Sequence, residues 1–257
     1  MICINGQRHA ELAQKVMQMG YHVYTEKPPA ETAADALATA RVSKDAGRLC
    51  MTAFKKRYNN AYSRARQWLD QYATADLLLL SIDYCCGPYD DALPADTFLY
   101  DFALHAIDLA GFLFGDAEYV FATARGSEAY AVSIKFVCGA VGTLSFSSGR
   151  SFAIPTEEVE ITVRGGNCMT VHNSSNWRIA EKGRCIEWRE PRTFTASGDS
   201  GHETGHLSEI EEFLAAIHEG RTTRSSIYES YKSMVVYEAI RKSAREKQTV
   251  SVLYDAI

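Results

Sequence analysis

Through residues 1–54 short apolar runs alternate with segments of helical spacing. Residues 1–4 are an apolar run, and 9–19 carry Leu12, Val16 and Met19 on one helical face before Gly20 closes the segment. A β-type run over 21–25 ends in Glu26-Lys27-Pro28-Pro29, an alanine-rich helix over 32–46 is closed by Gly47, and 49–54 reads as the next strand. Strand, helix, strand, helix, strand is the order of parallel strands joined by helical crossovers, so the pattern predicts half of a doubly wound sheet.

Beyond it, 58–72 predicts a helix, 77–85 a strand with a heavily apolar face, and 98–114 a helix bounded by Gly115-Asp116. Between 119 and 188 the period changes to two, with strands predicted at 119–123, 131–137, 143–147, 159–163 and 185–188. That makes an antiparallel sheet of about five or six strands. Gly139-Ala-Val-Gly142 and Gly165-Gly166 fall between β-type runs as hairpin turns. Leu207, Ile210, Leu214 and Ile217 mark one helical face, a last helix covers 226–245, and 250–253 closes as a strand. The predicted class is therefore α/β plus α+β. A parallel unit occupies 1–53, and 54–257 form a domain with a large, mainly antiparallel sheet and flanking helices. Three short strands are a small core for a parallel sheet, which normally has both faces covered.

Composition narrows the partners. With 46% hydrophobic and 23% charged residues the chain can bury a core, and a formal net charge of −5 offers no global positive field for phosphate backbones or anionic lipid. Nucleic acid and membrane are not expected partners, and no run approaches the ~20 apolar residues of a membrane span. The seven cysteines are odd in number, lack C-x-x-C spacing and mostly sit in apolar runs, which fits a reducing cytoplasm. The opening residues have neither the charged region nor the long apolar stretch of a secretory signal.

Two segments carry candidate chemistry. Glu26-Lys27-Pro28 ends a strand where a helix is about to begin, and ligands of open α/β sheets collect at such carboxyl ends. A lysine there can polarise a substrate oxygen, and the proline restricts it to extended backbone; a surface turn with two solvated charges is the plainer alternative. In Asp101-Phe-Ala-Leu-His105-Ala-Ile-Asp108, positions 101, 105 and 108 share one face of a regular α-helix, with Phe102, Leu109 and Phe112 opposite. Asp101, four residues back, would orient the His105 ring and raise its pKa, a pair suited to taking a proton from a hydroxyl. Here too a plainer alternative stands, a solvated Asp101 and a core histidine satisfied by Asp108.

Taken in order, Gly20-Tyr-His-Val-Tyr-Thr-Glu-Lys-Pro28, Phe54-Lys-Lys-Arg57-Tyr58, Asp101-x-x-x-His105-x-x-Asp108 and the later Glu212-Phe213 and Ser243-Ala244 helices resemble the Gfo/Idh/MocA oxidoreductases over nearly the whole chain. The resemblance implies hydride transfer between NAD or NADP and a secondary alcohol of a sugar, cyclitol or nucleotide-sugar. It implies Lys27 and His105 over the reacting carbon, with Asp101 as the histidine's partner. Glu26, Lys27, Pro28 and His9 would lie on the cofactor side, and Arg57, Tyr58 and Asp108 toward substrate, although Arg57-Tyr58 also read as a helix start with solvated charge. It further implies a homo-oligomer formed through the sheet of the second domain.

The family's pattern begins with a strand, a Gly-x-Gly-x-x-Gly turn and a helix that receive the cofactor pyrophosphate. Against it Met1 falls at the fourth strand. The first three strands, the pyrophosphate cradle and the acidic residue for the adenosine ribose then have no counterpart, and the run 1–4 would be an unpaired apolar edge. Two alternatives stay open: an incomplete form of an active enzyme, or a shortened member acting as a binding, regulatory or oligomerising protein. Phe98-Leu99 stand where family members often have glycine, which would reshape the substrate cleft. A separate reading comes from His202-Glu203-Thr204-Gly205-His206, which matches the zinc-hydrolase pattern His-Glu-x-x-His. Residues 197–201 before it and Gly205 within it predict a loop, and Glu229 and His218 are only rough candidates for a third ligand. No metal is expected.

Overall fold

The computed structural model describes residues 1–90, 93–94, 96–190 and 200–257. Its first unit is a two-stranded parallel sheet of β1 (Val23–Thr25) and β2 (Cys50–Thr52). Helix α1 (His9–Gln18) precedes β1, and α2 (Ala33–Ala46) crosses between the strands. Thr32 starts α2 by accepting a hydrogen bond from the Asp35 N–H, and Gly47, at φ 58°, ends it in the left-handed conformation that glycine tolerates. The strand predicted at 1–4 is reduced to one parallel bridge between Ile2 and Thr25, because Ile2 alone exchanges backbone hydrogen bonds with β1; Ile4 is exposed.

A 3₁₀ turn (Lys55–Tyr58) leads into α3 (Asn60–Leu69), whose first free N–H groups donate to the Asn59 side chain. The helix thus begins two residues later than its apolar spacing predicts. β3 (Leu77–Cys85) has the predicted bounds. The predicted helix over 98–114 is a π-helical stretch (Phe98–Ala103) running into α4 (Leu104–Phe114). Then come β4 (Ala117–Arg125), β5 (Ala129–Phe136), β6 (Val141–Ser147), β7 (Thr156–Val163), β8 (Asn167–His172), β9 (Asn176–Glu181) and β10 (Arg184–Arg189). Helices α5 (Ser200–Thr204), α6 (His206–Glu219) and α7 (Ile227–Glu246) follow, with β11 (Val250–Ser251) last.

The large sheet has nine strands in the order β10-β9-β8-β7-β3-β6-β5-β4-β11, antiparallel except for the parallel pair β3–β6. It is larger than the five or six strands predicted, and β3 lies at its centre. Strands β8 and β9 escaped the period-two reading because Cys168, Thr170 and Arg178 interrupt the apolar run, although Met169, Val171, Trp177 and Ile179 do alternate inward. One face of the sheet packs under α4 and α7, with Leu80, Ile82, Phe136, Leu144, Phe146 and Ile161 meeting Leu109, Leu113 and Met234 in one core. The other face is open and carries Ser81, Thr143, Tyr119, Phe121 and Val141.

On α6 the inward face is Glu209, Phe213 and Ala216, whereas Leu207 and Leu214 are exposed, a rotation from the predicted stripe. The Phe213 ring settles that rotation by packing on Tyr24 of β1 at 5.8 Å. Among the described residues no helix is long and apolar enough to cross a membrane.

Candidate active site

Lys27 leaves the end of β1, and its ammonium donates to the Asp101 carboxylate and, at 3.1 Å, to the Asp101 carbonyl. The Tyr89 hydroxyl holds the other carboxylate oxygen at 2.9 Å. Asp101 is therefore the partner of the lysine and not of His105, as the sequence had suggested. The π-helical stretch explains the difference: its wider turn removes the stacking of positions 101 and 105 that a regular α-helix would impose.

His105 lies in the first turn of α4 and is 8% exposed, and its Nδ1 has no hydrogen-bond partner. Its ring meets Phe54 edge-on at 6.0 Å. Burial, and then the charges of Lys27, Lys56, Lys55 and His206, hold its pKa well below the usual 6.5, opposite to the expected rise. The ring is thus neutral near pH 7, in the form that accepts a proton.

Four other residues that the sequence pointed toward ligands are occupied by the fold. His9, fully buried, sits between the Pro28 and Ile4 carbonyls at 2.7 and 3.0 Å, so it braces the two loops beside Lys27 without facing a cofactor. Arg57 and Asp108 clasp each other through two contacts of 2.8 Å, and Ser233 donates to the same carboxylate at 2.8 Å. With Asp108 at 0% exposure, neither reaches substrate. Tyr58 is buried, and its hydroxyl pairs with Ser225 at 3.0 Å. Glu26 remains at the site, its carboxylate accepting from the Lys27 N–H at 3.3 Å.

Lys55 and Glu209 join the site without having been singled out for it, together with His206, which the sequence offered in the zinc-hydrolase pattern or as a solvated or substrate-facing histidine. The Lys55 ammonium lies 3.2 Å from His206 Nε2, and His206 Nδ1 lies 3.5 Å from Glu209. Lys55 was visible only as one of three consecutive cations, and Glu209 only as a polar residue on a helix. Burial pushes the Glu209 carboxyl up to about 7, with the Tyr24 hydroxyl against it. The folded chain then keeps a proton that the unfolded chain releases near 4.5, so stability falls as pH rises from 4.5 to 7 and levels off above. Glu209→Gln should abolish that fall. Urea melts at pH 5 and pH 8 should show the wild type losing about 3 kcal/mol more than the variant. Equal losses would refute the buried proton.

The zinc reading meets a different geometry. The predicted loop is two helices broken at Gly205, whose φ is 90° and where a Cβ would lie 2.1 Å from the Lys55 carbonyl. His202 turns to Ser208 at 3.1 Å while His206 faces the Lys55 cation, so the two rings do not converge; residues 197–199 lie outside the described residues. Among the described residues no three His, Cys, Asp or Glu side chains are placed to hold a metal ion.

A cleft of about 580 Å³ opens beside Lys27, lined by Asn5, Gly6, Gln7, Thr97, Tyr100 and Asp101 among others. It lies at the carboxyl end of the parallel strands, where doubly wound folds receive their ligands.

Comparison with known proteins places the chain among others of the same fold. The curated relatives include an inositol 2-dehydrogenase of Rhizobium meliloti (strain 1021), 24% identical over 98% of this chain and 80% of its own length. A second is the 4-carboxy-2-hydroxymuconate-6-semialdehyde dehydrogenase of Sphingobium sp. (strain NBRC 103272 / SYK-6), 25% identical over 88% of this chain and 72% of its own length. Among solved structures, a levoglucosan dehydrogenase in complex with NADH and L-sorbose superposes with a TM-score of 0.85 at 21% identity, covering 99% of this chain and 80% of that one, and so shares the fold. Residues 1–54 match the model of the family's NAD-binding Rossmann fold, and residues 89–252 match that of its C-terminal alpha/beta domain. The chain belongs to the Gfo/Idh/MocA oxidoreductase family.

Proposed function

We propose that this oxidoreductase uses NAD to oxidise a secondary alcohol of a polyol, a cyclitol or sugar, and runs the reverse reduction. The observation that carries the reading is His105, neutral and with a free Nδ1, under the field of the Lys27 ammonium. A substrate hydroxyl placed between them donates its proton to His105 while Lys27 stabilises the oxygen as charge develops on it. Asp101 and Tyr89 keep the lysine ammonium in place, and Phe54 keeps water from one side of the imidazole. In the reduction the same proton returns from His105 to the carbonyl oxygen.

The residues at the 580 Å³ cleft suit the nicotinamide end of the cofactor: Lys27 and Pro28 bound it on one side, with Glu26 next to them in the chain, and the 5–7 turn on the other. The bound nicotinamide supplies the hydride acceptor. NAD is preferred over NADP in this reading because the matched family model is described as NAD-binding and structural neighbours hold NADH. We assign 1–53 to the cofactor unit and 54–257 to the substrate unit, with a second copy of the chain on the open sheet face, where Tyr119, Phe121 and Val141 are exposed. The cytoplasm is the compartment that fits the free cysteines.

A thermal-shift titration with NADH and with NADPH tests the reading. NADH should raise the unfolding midpoint in proportion to the logarithm of its concentration above Kd, with about 2.7 kcal/mol of stabilisation at 100 times Kd, and NADPH should act only at higher concentration. A folded chain shifted by neither overturns the cofactor assignment.

A further inference from the structure

Three consecutive cations follow β2, and two of them have carboxylate partners. Lys56 reaches Glu157 at 2.6 Å, where the Tyr62 hydroxyl and Ser174 also converge, and Arg57 is closed on Asp108. Lys55 is different. Among the described residues no carboxylate oxygen lies within 4.0 Å of its ammonium. Its polar side-chain contact is His206 Nε2 at 3.2 Å.

An ammonium has three donors. His206 accepts one of them, since its own Nδ1 faces Glu209 and its pKa lies below 6.5 through burial and the Lys55 charge, which keeps the ring neutral. Two donors remain in a half-buried setting beside the positive Lys27 and Lys56. Glu209 gives little countercharge, because its carboxyl holds its proton up to about 7, and Glu26 turns to the backbone N–H of Lys27. Glu26 thus adds a negative charge to the cluster without forming an ion pair with Lys55, whose two remaining donors have no carboxylate within 4.0 Å among the described residues.

His105, whose Nδ1 is buried and unpartnered, packs its ring on Phe54, the residue before Lys55, and both Lys55 and His206 act electrostatically on that ring. An anion on Lys55 would thus belong to the molecule whose hydroxyl meets His105. Gly205 makes the arrangement possible, because its left-handed turn lets the start of α6 sit against the Lys55 carbonyl and delivers His206 to the lysine.

We infer that Lys55 is a specificity-determining residue that anchors a carboxylate of the substrate, so the polyol taken is a polyhydroxy acid in preference to a neutral sugar alcohol. The inference rests on the polyol-oxidising reading of the site. Matched pairs that differ only in a terminal carboxylate against a hydroxymethyl group test it by calorimetry with NADH present: D-gluconate against D-glucitol, D-galactonate against galactitol, and D-mannonate against D-mannitol. In at least one pair the acid should bind about tenfold or more tighter than its alditol, equivalent to about 1.4 kcal/mol. Lys55→Met should bring that ratio to about one, and Lys55→Arg should keep most of it. Equal affinities within every binding pair, or a preference that survives Lys55→Met, overturn the carboxylate anchor and leave the polyol reading standing. No binding by either member of any pair, in a chain that NADH stabilises, overturns the polyhydroxy-acid inference and leaves the cyclitol or sugar reading standing.

Discussion

His105→Asn is expected to lower turnover by about two to four orders of magnitude, the usual worth of a positioned general base, while leaving the unfolding midpoint close to the wild type. The side chain has no hydrogen-bond partner at Nδ1 to lose, so the structural cost of the change is small. Lys27→Met should produce a loss of similar size by a different route, since it removes the charge that stabilises the developing oxyanion. The two differ in their pH profiles. Burial and the surrounding lysines depress the His105 pKa, so its neutral form persists below pH 6.5, and wild-type kcat/KM for alcohol oxidation should fall only as pH drops through that depressed value. The acid limb should be missing from the residual activity of His105→Asn and present in that of Lys27→Met. Near-normal turnover in both variants would remove the site assignment altogether.

Arg57→Met should cost about 3–5 kcal/mol of folding stability, because it leaves the Asp108 carboxylate buried without its partner. Against a typical total of about 5–15 kcal/mol that is a third or more of the stability of an average domain. The double variant Arg57→Met/Asp108→Leu should recover most of the loss, since an apolar pair of similar volume needs no desolvation of charge. Urea unfolding of the three proteins decides the matter. A single variant within 1 kcal/mol of wild type would mean that the ion pair has water or another partner in solution.

What could be read before any coordinates follows a physical boundary. Lys27 was legible because a strand ending in Lys-Pro exposes its chemistry through local backbone rules, and α2 was legible because Thr32 and Gly47 mark both its ends. His105 was singled out with Asp101 as its partner, and the fold gives Asp101 to Lys27 and Tyr89 instead. Spacing assigns neighbours on a regular helix, and nothing in Phe98–Ala103 announces a π-helical turn. Arg57, Asp108 and His9 were misplaced for a related reason: charge and polarity say that a group needs a partner, and only the tertiary fold decides whether that partner is a ligand or another residue. Lys55 shows the converse. It sits in the same run of cations as Lys56 and Arg57, and only its neighbours' pairings separate it from them.

The placement of α7 also bears on how the chain reaches its native state. The first unit is made early in sequence, yet α2 lies along α7, the Ala33 N–H donates to Glu238 across 205 positions, and Met51 of β2 forms a bridge with Ser226. During synthesis from the amino terminus the cofactor-side strands emerge with one flank uncovered. They stay so until the last helix has left the ribosome and folded back over them, which makes native cofactor-side structure one of the final things a nascent chain acquires.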